Sequence, residues 1–172
     1  MDTGGQAQFS PAGAVVFERS VMVSASAEEL FRFHENPENI VKIAPPSLRV
    51  ESVECERTAR EGGIFRIRAS QFGLPIRWTG LWERVDFPRA LVDTAVHSPF
   101  AFWRHSHLFD QQANGCRMTD RVEFLLKGGW AGRVVSRLVM PLVFAAMFRA
   151  RHAATARWFS KSAPESRNPA GG

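Results

Sequence analysis

The chain predicts an α+β fold: a curved antiparallel seven-stranded sheet wrapped around a long C-terminal helix, with two short helices after strand 1. Three observations carry this expectation. From residue 48 to about residue 126, alternating apolar and polar residues are cut by turn signals roughly every dozen residues, too closely for crossover helices, so neighbouring strands pair as hairpins. An apolar stripe at helical spacing runs from residue 131 to about residue 159. With 45% hydrophobic residues in a length of 172, the chain can bury a core of its own without disulfide staples.

Residues 15–24 alternate as a first strand, and Ser24 or Ser26 is placed to cap a helix whose first turn carries Glu28 and Glu29. Leu30, Phe31 and Phe33, then Ile40, Val41 and Ile43, supply the apolar stripe; Asn36-Pro37 interrupts it, which favours two short helices. Pro45-Pro46 ends the helical region. Six strands follow, separated by Glu61-Gly62-Gly63, Gly73-Leu74-Pro75, Phe87-Pro88-Arg89, Ser98-Pro99 and Asn114-Gly115. Gly80, between Trp78 and Trp82, reads as a bend that lets its strand curl. In the last segment Val134, Val135, Leu138, Val139, Leu142, Val143, Ala146 and Phe148 form one face of a single helix, kinked at Pro141, that covers the concave side of the sheet.

The net charge is +5 and the basic residues are overwhelmingly arginine. They alternate with apolar residues, as in Phe65-Arg66-Ile67-Arg68, and so read as solvated outer faces, with no nucleic acid expected. The apolar run from residue 138 to residue 148 is too short to span a bilayer, so no transmembrane segment is expected. Cys55 and Cys116 have no metal-ligand or disulfide spacing, and a reducing cytoplasm is the simpler setting. Residues 1–14 read as a disordered lead, 15–159 as the folded domain and 160–172 as a disordered tail.

The stretches Ser98-Pro99-Phe100-Ala101-Phe102-Trp103-Arg104-His105-Ser106-His107-Leu108-Phe109, Met118-Thr119-Asp120-Arg121-Val122-Glu123-Phe124 and Phe148-Arg149-Ala150-Arg151-His152 carry a resemblance. Together with the order of elements, they resemble a bacterial, cyclase-like or ligand-binding branch of the SRPBCC superfamily of START, polyketide-cyclase and birch-pollen-allergen domains. The resemblance implies a helix-grip fold with a cavity between sheet and helix. It does not select a function, because the superfamily includes lipid carriers, receptors, aromatases, hydrolases and chaperone activators.

The residues themselves narrow the choice. Alternation sets Trp103, His105, His107 and Phe109 on one strand face, and a two-residue turn at Asn114-Gly115 sets Phe109 opposite Asp120, His107 opposite Val122 and His105 opposite Phe124. Asp120 then lies diagonal to His107. Two histidines two residues apart with a nearby carboxylate are compatible with a metal site, but Asp120 is nearer His107 than His105 in this register, and no metal or cofactor is expected. His107 oriented by Asp120 is compatible with acid/base work in a cyclase or dehydratase, although no nucleophile or oxyanion pattern accompanies the pair. A lone buried pair that fixes the sheet accounts for Asp120 equally well, and each aromatic alone suits ordinary packing. His97 and His152 read as peripheral.

The leading expectation is a pocket for a small hydrophobic or aromatic molecule between sheet and helix, lined by Trp78, Trp82, Trp103, His105, His107, Asp120 and Phe124. An enzyme using His107 and Asp120 is the first alternative. An interaction module whose basic surface and helix bind an acidic partner or an anionic membrane is the second.

Overall fold

Alternation along the chain becomes one sheet. A computed structural model describes residues 10–162, so most of the expected lead and tail lie outside the described residues. The strands are β1 (Val15–Val23), β2 (Leu48–Glu54), β3 (Ile64–Gln71), β4 (Leu74–Asp86), β5 (Ala90–His97), β6 (Phe100–Gln112) and β7 (Gly115–Leu126). They form a seven-stranded sheet in the order β1-β7-β6-β5-β4-β3-β2, with every neighbouring pair antiparallel. Helix α1 (Ala27–His34), a 3-10 turn (Pro37–Asn39) and α2 (Ile40–Ile43) carry the chain from one edge strand, β1, to the other, β2.

Local chemistry sets these boundaries. Ser26 caps α1: its hydroxyl accepts from the Glu29 amide, and the Glu29 carboxylate accepts from the Ser26 amide at 2.7 Å, which satisfies two otherwise orphaned donors. The C-terminal helix is two helices, α3 (Gly129–Leu138) and α4 (Met140–Ser162), bent by 49° where a single kinked helix was expected. The break falls at Val139 because Pro141 has no N–H to offer and its ring crowds the preceding turn, so α3 closes on the Val139 amide and α4 restarts. No single helix among the described residues is long and apolar enough to cross a membrane.

The β6–β7 hairpin differs from the expected register by two residues. Ala113 and Asn114 form the turn, Gln112 pairs with Gly115, and the ladder sets His107 opposite Asp120, His105 opposite Val122 and Trp103 opposite Phe124. Glycine decides this. Gly115 has φ +129°, and a Cβ there would come within 2.3 Å of the Val23 carbonyl oxygen. The glycine is therefore spent on a close approach to β1, and Ala113-Asn114 turn with ordinary negative φ. A shift of two preserves the faces, so the inward residues are those expected.

Two apolar clusters fill the concave side. One gathers Leu30, Phe31, Phe65, Trp82, Leu91, Phe109 and Met118. The other gathers Trp103, Val122, Phe124, Phe144 and Phe148. Half-buried Trp78 packs against both. Gly80 stands opposite Phe65, and a Cβ at Gly80 would lie 2.2 Å from the Phe65 ring, which itself packs against Trp82 at a tilt of 44°, 5.1 Å between centroids. Replacing Gly80 with Ala is expected to lower stability by about 1–3 kcal/mol, read as a lower urea midpoint at unchanged m-value.

Candidate functional site

Between the two apolar clusters lies a buried polar layer. Its centre is Asp120, which is fully buried on β7. His105 Nε2 donates to Asp120 Oδ1 at 2.9 Å, and His152 Nε2, on α4, donates to Oδ2 at 2.6 Å. His107 Nδ1 comes within 2.7 Å of Oδ1, off the line of a good hydrogen bond. Asp93 on β5 stands directly opposite His105, with its Oδ2 3.7 Å from His105 Nδ1. His34, in the last turn of α1, donates from Nδ1 to the Leu30 carbonyl at 2.8 Å and lies 5.2 Å from the His107 ring between centroids. All six side chains are buried.

These contacts fix which nitrogen carries each proton. A carbonyl or an ionised carboxylate can only accept, so the ring nitrogen facing it holds the hydrogen and the other presents its lone pair. His34 therefore shows its lone pair at Nε2, while His105 and His152 show theirs at Nδ1. Burial pushes the pKa of His34 down to about 3 and that of His107 to about 4, and it lowers His105 against the pull of Asp120. Burial opposes ionisation of Asp120, yet His107, His105 and His152 hold its carboxyl well below the usual range. Asp93 goes the other way: burial raises it to about 6, against the pull of His107 and Arg151. The layer thus holds His34, His105 and His107 as neutral imidazoles, a fixed carboxylate at Asp120 and a second carboxyl, Asp93, that changes protonation near neutrality.

Of the expected site residues, the structure brings Trp103, His105, His107, Asp120 and Phe124 onto adjoining strands and sets Trp78 against Trp103 at 4.9 Å between centroids. Trp82 is opposite Asp93 in the ladder, but its ring packs on Phe65 in the other cluster. The placing of Asp120 diagonal to His107 is corrected to directly opposite. His152 is not peripheral, whereas His97 is exposed.

Four members escaped sequence reasoning. Asp93 shares the face of Leu91, and its position two residues on was legible as a carboxylate on a buried strand face. His34 and His152 follow the buried Leu30 and Phe148 by four residues, one helical turn. Arg151, also on α4, supplies the positive charge that acts on Asp93, His34, His105 and His107. A surface groove of about 410 Å³ lined by Ala12, Gly13, Arg133, Val134 and Arg137 includes none of these residues.

The pKa displacements set a pH dependence. A histidine held below its usual 6.5 contributes stability above that value, which is lost as pH falls towards about 3 for His34 and about 4 for His107. Asp93, raised to about 6, contributes below the usual carboxylate value of 3.8 and loses that contribution as pH rises through 6. The histidines outnumber this carboxyl, so acidification from about 6.5 to about 4 is expected to destabilise the fold. The slope is about 1.4 kcal/mol per pH unit for each net proton taken up on unfolding. Urea midpoints measured across that range in a chelating buffer check this; constant midpoints would contradict neutral buried imidazoles.

No family model matches the chain, and no curated protein matches it in sequence. Solved structures do match. The Zhui aromatase/cyclase from Streptomyces sp. R1128 has a TM-score of 0.73 at 14% identity, over 90% of this chain and 99% of its own. The di-domain ARO/CYC StfQ from the steffimycin biosynthetic pathway has a TM-score of 0.70 at 12% identity, over 87% of this chain and 52% of its own. TTHA0849 from Thermus thermophilus has a TM-score of 0.67 at 18% identity, over 87% of this chain and 100% of its own. At these identities the likeness is one of fold, and the strand order, the helices after β1 and the helix laid across the sheet agree with it: the chain has the helix-grip fold that these structures share.

Proposed function

We propose that the protein binds a small hydrophobic or aromatic molecule between the sheet and α4, with the polar end of the ligand at Asp93, His105 and His107. One observation carries this reading. Among the described residues, the buried side-chain nitrogens without a hydrogen-bond partner include His34 Nε2, Trp103 Nε1, Arg151 Nε and His152 Nδ1, all within or beside the polar layer. Unmet polar groups cost free energy when buried, so their concentration at one place favours a site completed by something else. Apolar walls adjoin it: Trp78 edges onto Trp103, Trp103 lies 5.9 Å from His105, and Ala95, Phe100 and Met147 are half-buried beside them. A mainly apolar lining with few convergent polar groups suits a small ring-bearing molecule.

If the bound molecule is also transformed, as in a cyclase or dehydratase, the acid/base pair moves from the expected His107 and Asp120 to Asp93 and His107. Asp120 is engaged by three imidazoles and held ionised, whereas Asp93 titrates near neutrality and turns an oxygen towards the histidines.

A second reading is favoured by α3 and the first turn of α4. Trp130, Leu138 and Leu142 are 79%, 69% and 72% exposed, with Val134, Val135 and Val139 exposed beside them. Buried Gly132 and Ser136 turn the opposite face to β7, where the Ser136 hydroxyl accepts from the Leu126 amide at 2.9 Å. Arg133 and Arg137 flank the apolar strip, and no acidic residue occurs between Glu123 and Glu165. An exposed apolar strip edged by cations is the signature of a helix lying in an anionic lipid interface, where the protein would collect or deliver an apolar ligand.

Native mass spectrometry of the purified protein is expected to show a co-purifying small molecule, and Trp78→Ala to weaken rebinding of that molecule about tenfold or more. A ligand-free protein whose tryptophan fluorescence ignores a panel of aromatic and lipid compounds would defeat the ligand reading. For α3, co-sedimentation with phosphatidylserine vesicles is expected, lost in high salt and in Leu138→Glu. Equal binding to phosphatidylcholine vesicles, or none to either, would reject it.

A further inference from the structure

We propose that Asp93, His105 and His107 form a binding site for one divalent first-row transition-metal ion, such as Zn²⁺, Co²⁺ or Fe²⁺. One donor atom from each of the three lies within 4.8 Å of the others. Two come from β6 and the third from the neighbouring strand β5, where Asp93 is the direct ladder partner of His105. The site is therefore held by sheet hydrogen bonds rather than by loops.

The contact between Asp93 and His105 is the main argument. His105 Nε2 is committed as a donor to Asp120, so Nδ1 presents a lone pair, and Asp93 Oδ2 faces it at 3.7 Å. That separation is too long for a hydrogen bond, and it sets two electron-pair donors face to face. A cation with bonds of about 2.0–2.1 Å to nitrogen and oxygen spans such a gap at an open angle. Imidazole and carboxylate together suit Zn²⁺, Fe²⁺, Co²⁺ and Ni²⁺ better than Ca²⁺ or Mg²⁺, which require several oxygens.

The surroundings have the form that metal-binding histidines need. Such a histidine donates its second ring nitrogen to a carboxylate or carbonyl, which fixes the tautomer and strengthens the ligand. Asp120 does this for His105 and also faces His107 Nδ1 at 2.7 Å. Independently of the three ligands, the buried indole Nε1 of Trp103, whose ring lies 5.9 Å from that of His105 between centroids, meets no hydrogen-bond geometry with a partner, as a donor waiting for a metal-bound water would. Three protein ligands leave at least one position open, which is the arrangement of a metal that handles a substrate rather than one that only braces a fold. This site lies at the polar end of the proposed pocket, but filling it requires no organic ligand.

The test uses untagged full-length protein, stripped with a chelator and titrated with Zn²⁺ by calorimetry and with Co²⁺ by visible absorption. One ion per chain is expected, with d–d bands of a four- or five-coordinate site. Asp93→Asn and His107→Gln are each expected to weaken binding about tenfold to a hundredfold, whereas His97→Gln, which changes an exposed histidine, leaves it unchanged. Absence of stoichiometric binding would overturn the proposal, as would binding that survives both variants or is lost in His97→Gln. Should a variant fail to fold by circular dichroism, the ring signals of His105 and His107 in the wild-type protein decide: they must shift on adding Zn²⁺, and unshifted signals overturn the site. Trp78→Ala tests the organic pocket alone and is expected to bind metal normally, so failure of either reading is visible separately.

Discussion

The structure is organised around a carboxylate placed where water cannot reach it. Asp120 would be ruinous in the middle of an apolar sheet face if it stood alone. Imidazoles from β6 and α4 close around its two oxygens, so one anion joins two strands and the helix laid across them. An ion buried in this way gives little net stability, but loss of one partner leaves an uncompensated charge, at a cost of about 3–5 kcal/mol. The constraint is therefore one of specificity. α4 must present His152 at the level of Asp120, and the β6–β7 register must bring His105 and His107 to it. The two apolar clusters pack on either side of the arrangement that results.

The same constraint gives the layer its chemistry. Burial keeps His34, His105 and His107 neutral, and neutral imidazoles with fixed tautomers are useful ligands and proton acceptors. Burial also drives Asp93 and Asp120 apart, one protonating near neutrality and the other staying ionised. Paired titratable groups whose surroundings separate them in this way are the usual raw material of binding and catalytic sites. Trp78 and Trp103 give the layer its apolar approach.

Much of this was legible in the chain, for identifiable reasons. Period-two alternation places Trp103, His105, His107 and Asp120 on one face whatever the exact register, so the composition of the site survives a shift of two residues. The register itself was not legible, because the need for glycine at position 115 comes from the Val23 carbonyl across the sheet, a contact no local pattern records. Asp93 was hidden for a similar reason: its importance depends on the pairing of β5 with β6. His34 and His152 stand in helical phase with buried Leu30 and Phe148, but the phase alone does not show that a carboxylate and further imidazoles from the sheet meet them. Pro141 announced a disturbance in the helix, but packing decided that it would become a bend of 49° between two helices.

The pairing of β1 with β7 bears on how the molecule comes into being. Val15 lies opposite Phe124, and the polar layer draws on residues as far apart as His34 and His152. Contacts of such sequence separation require closure of long loops before they are rewarded, which slows folding relative to chains of local contacts. The first strand has no partner in the sheet until β7, the last strand, has been made. The layer is not closed over Asp120 until α4 brings His152 to it. Assembly of the site and completion of the fold are consequently the same event.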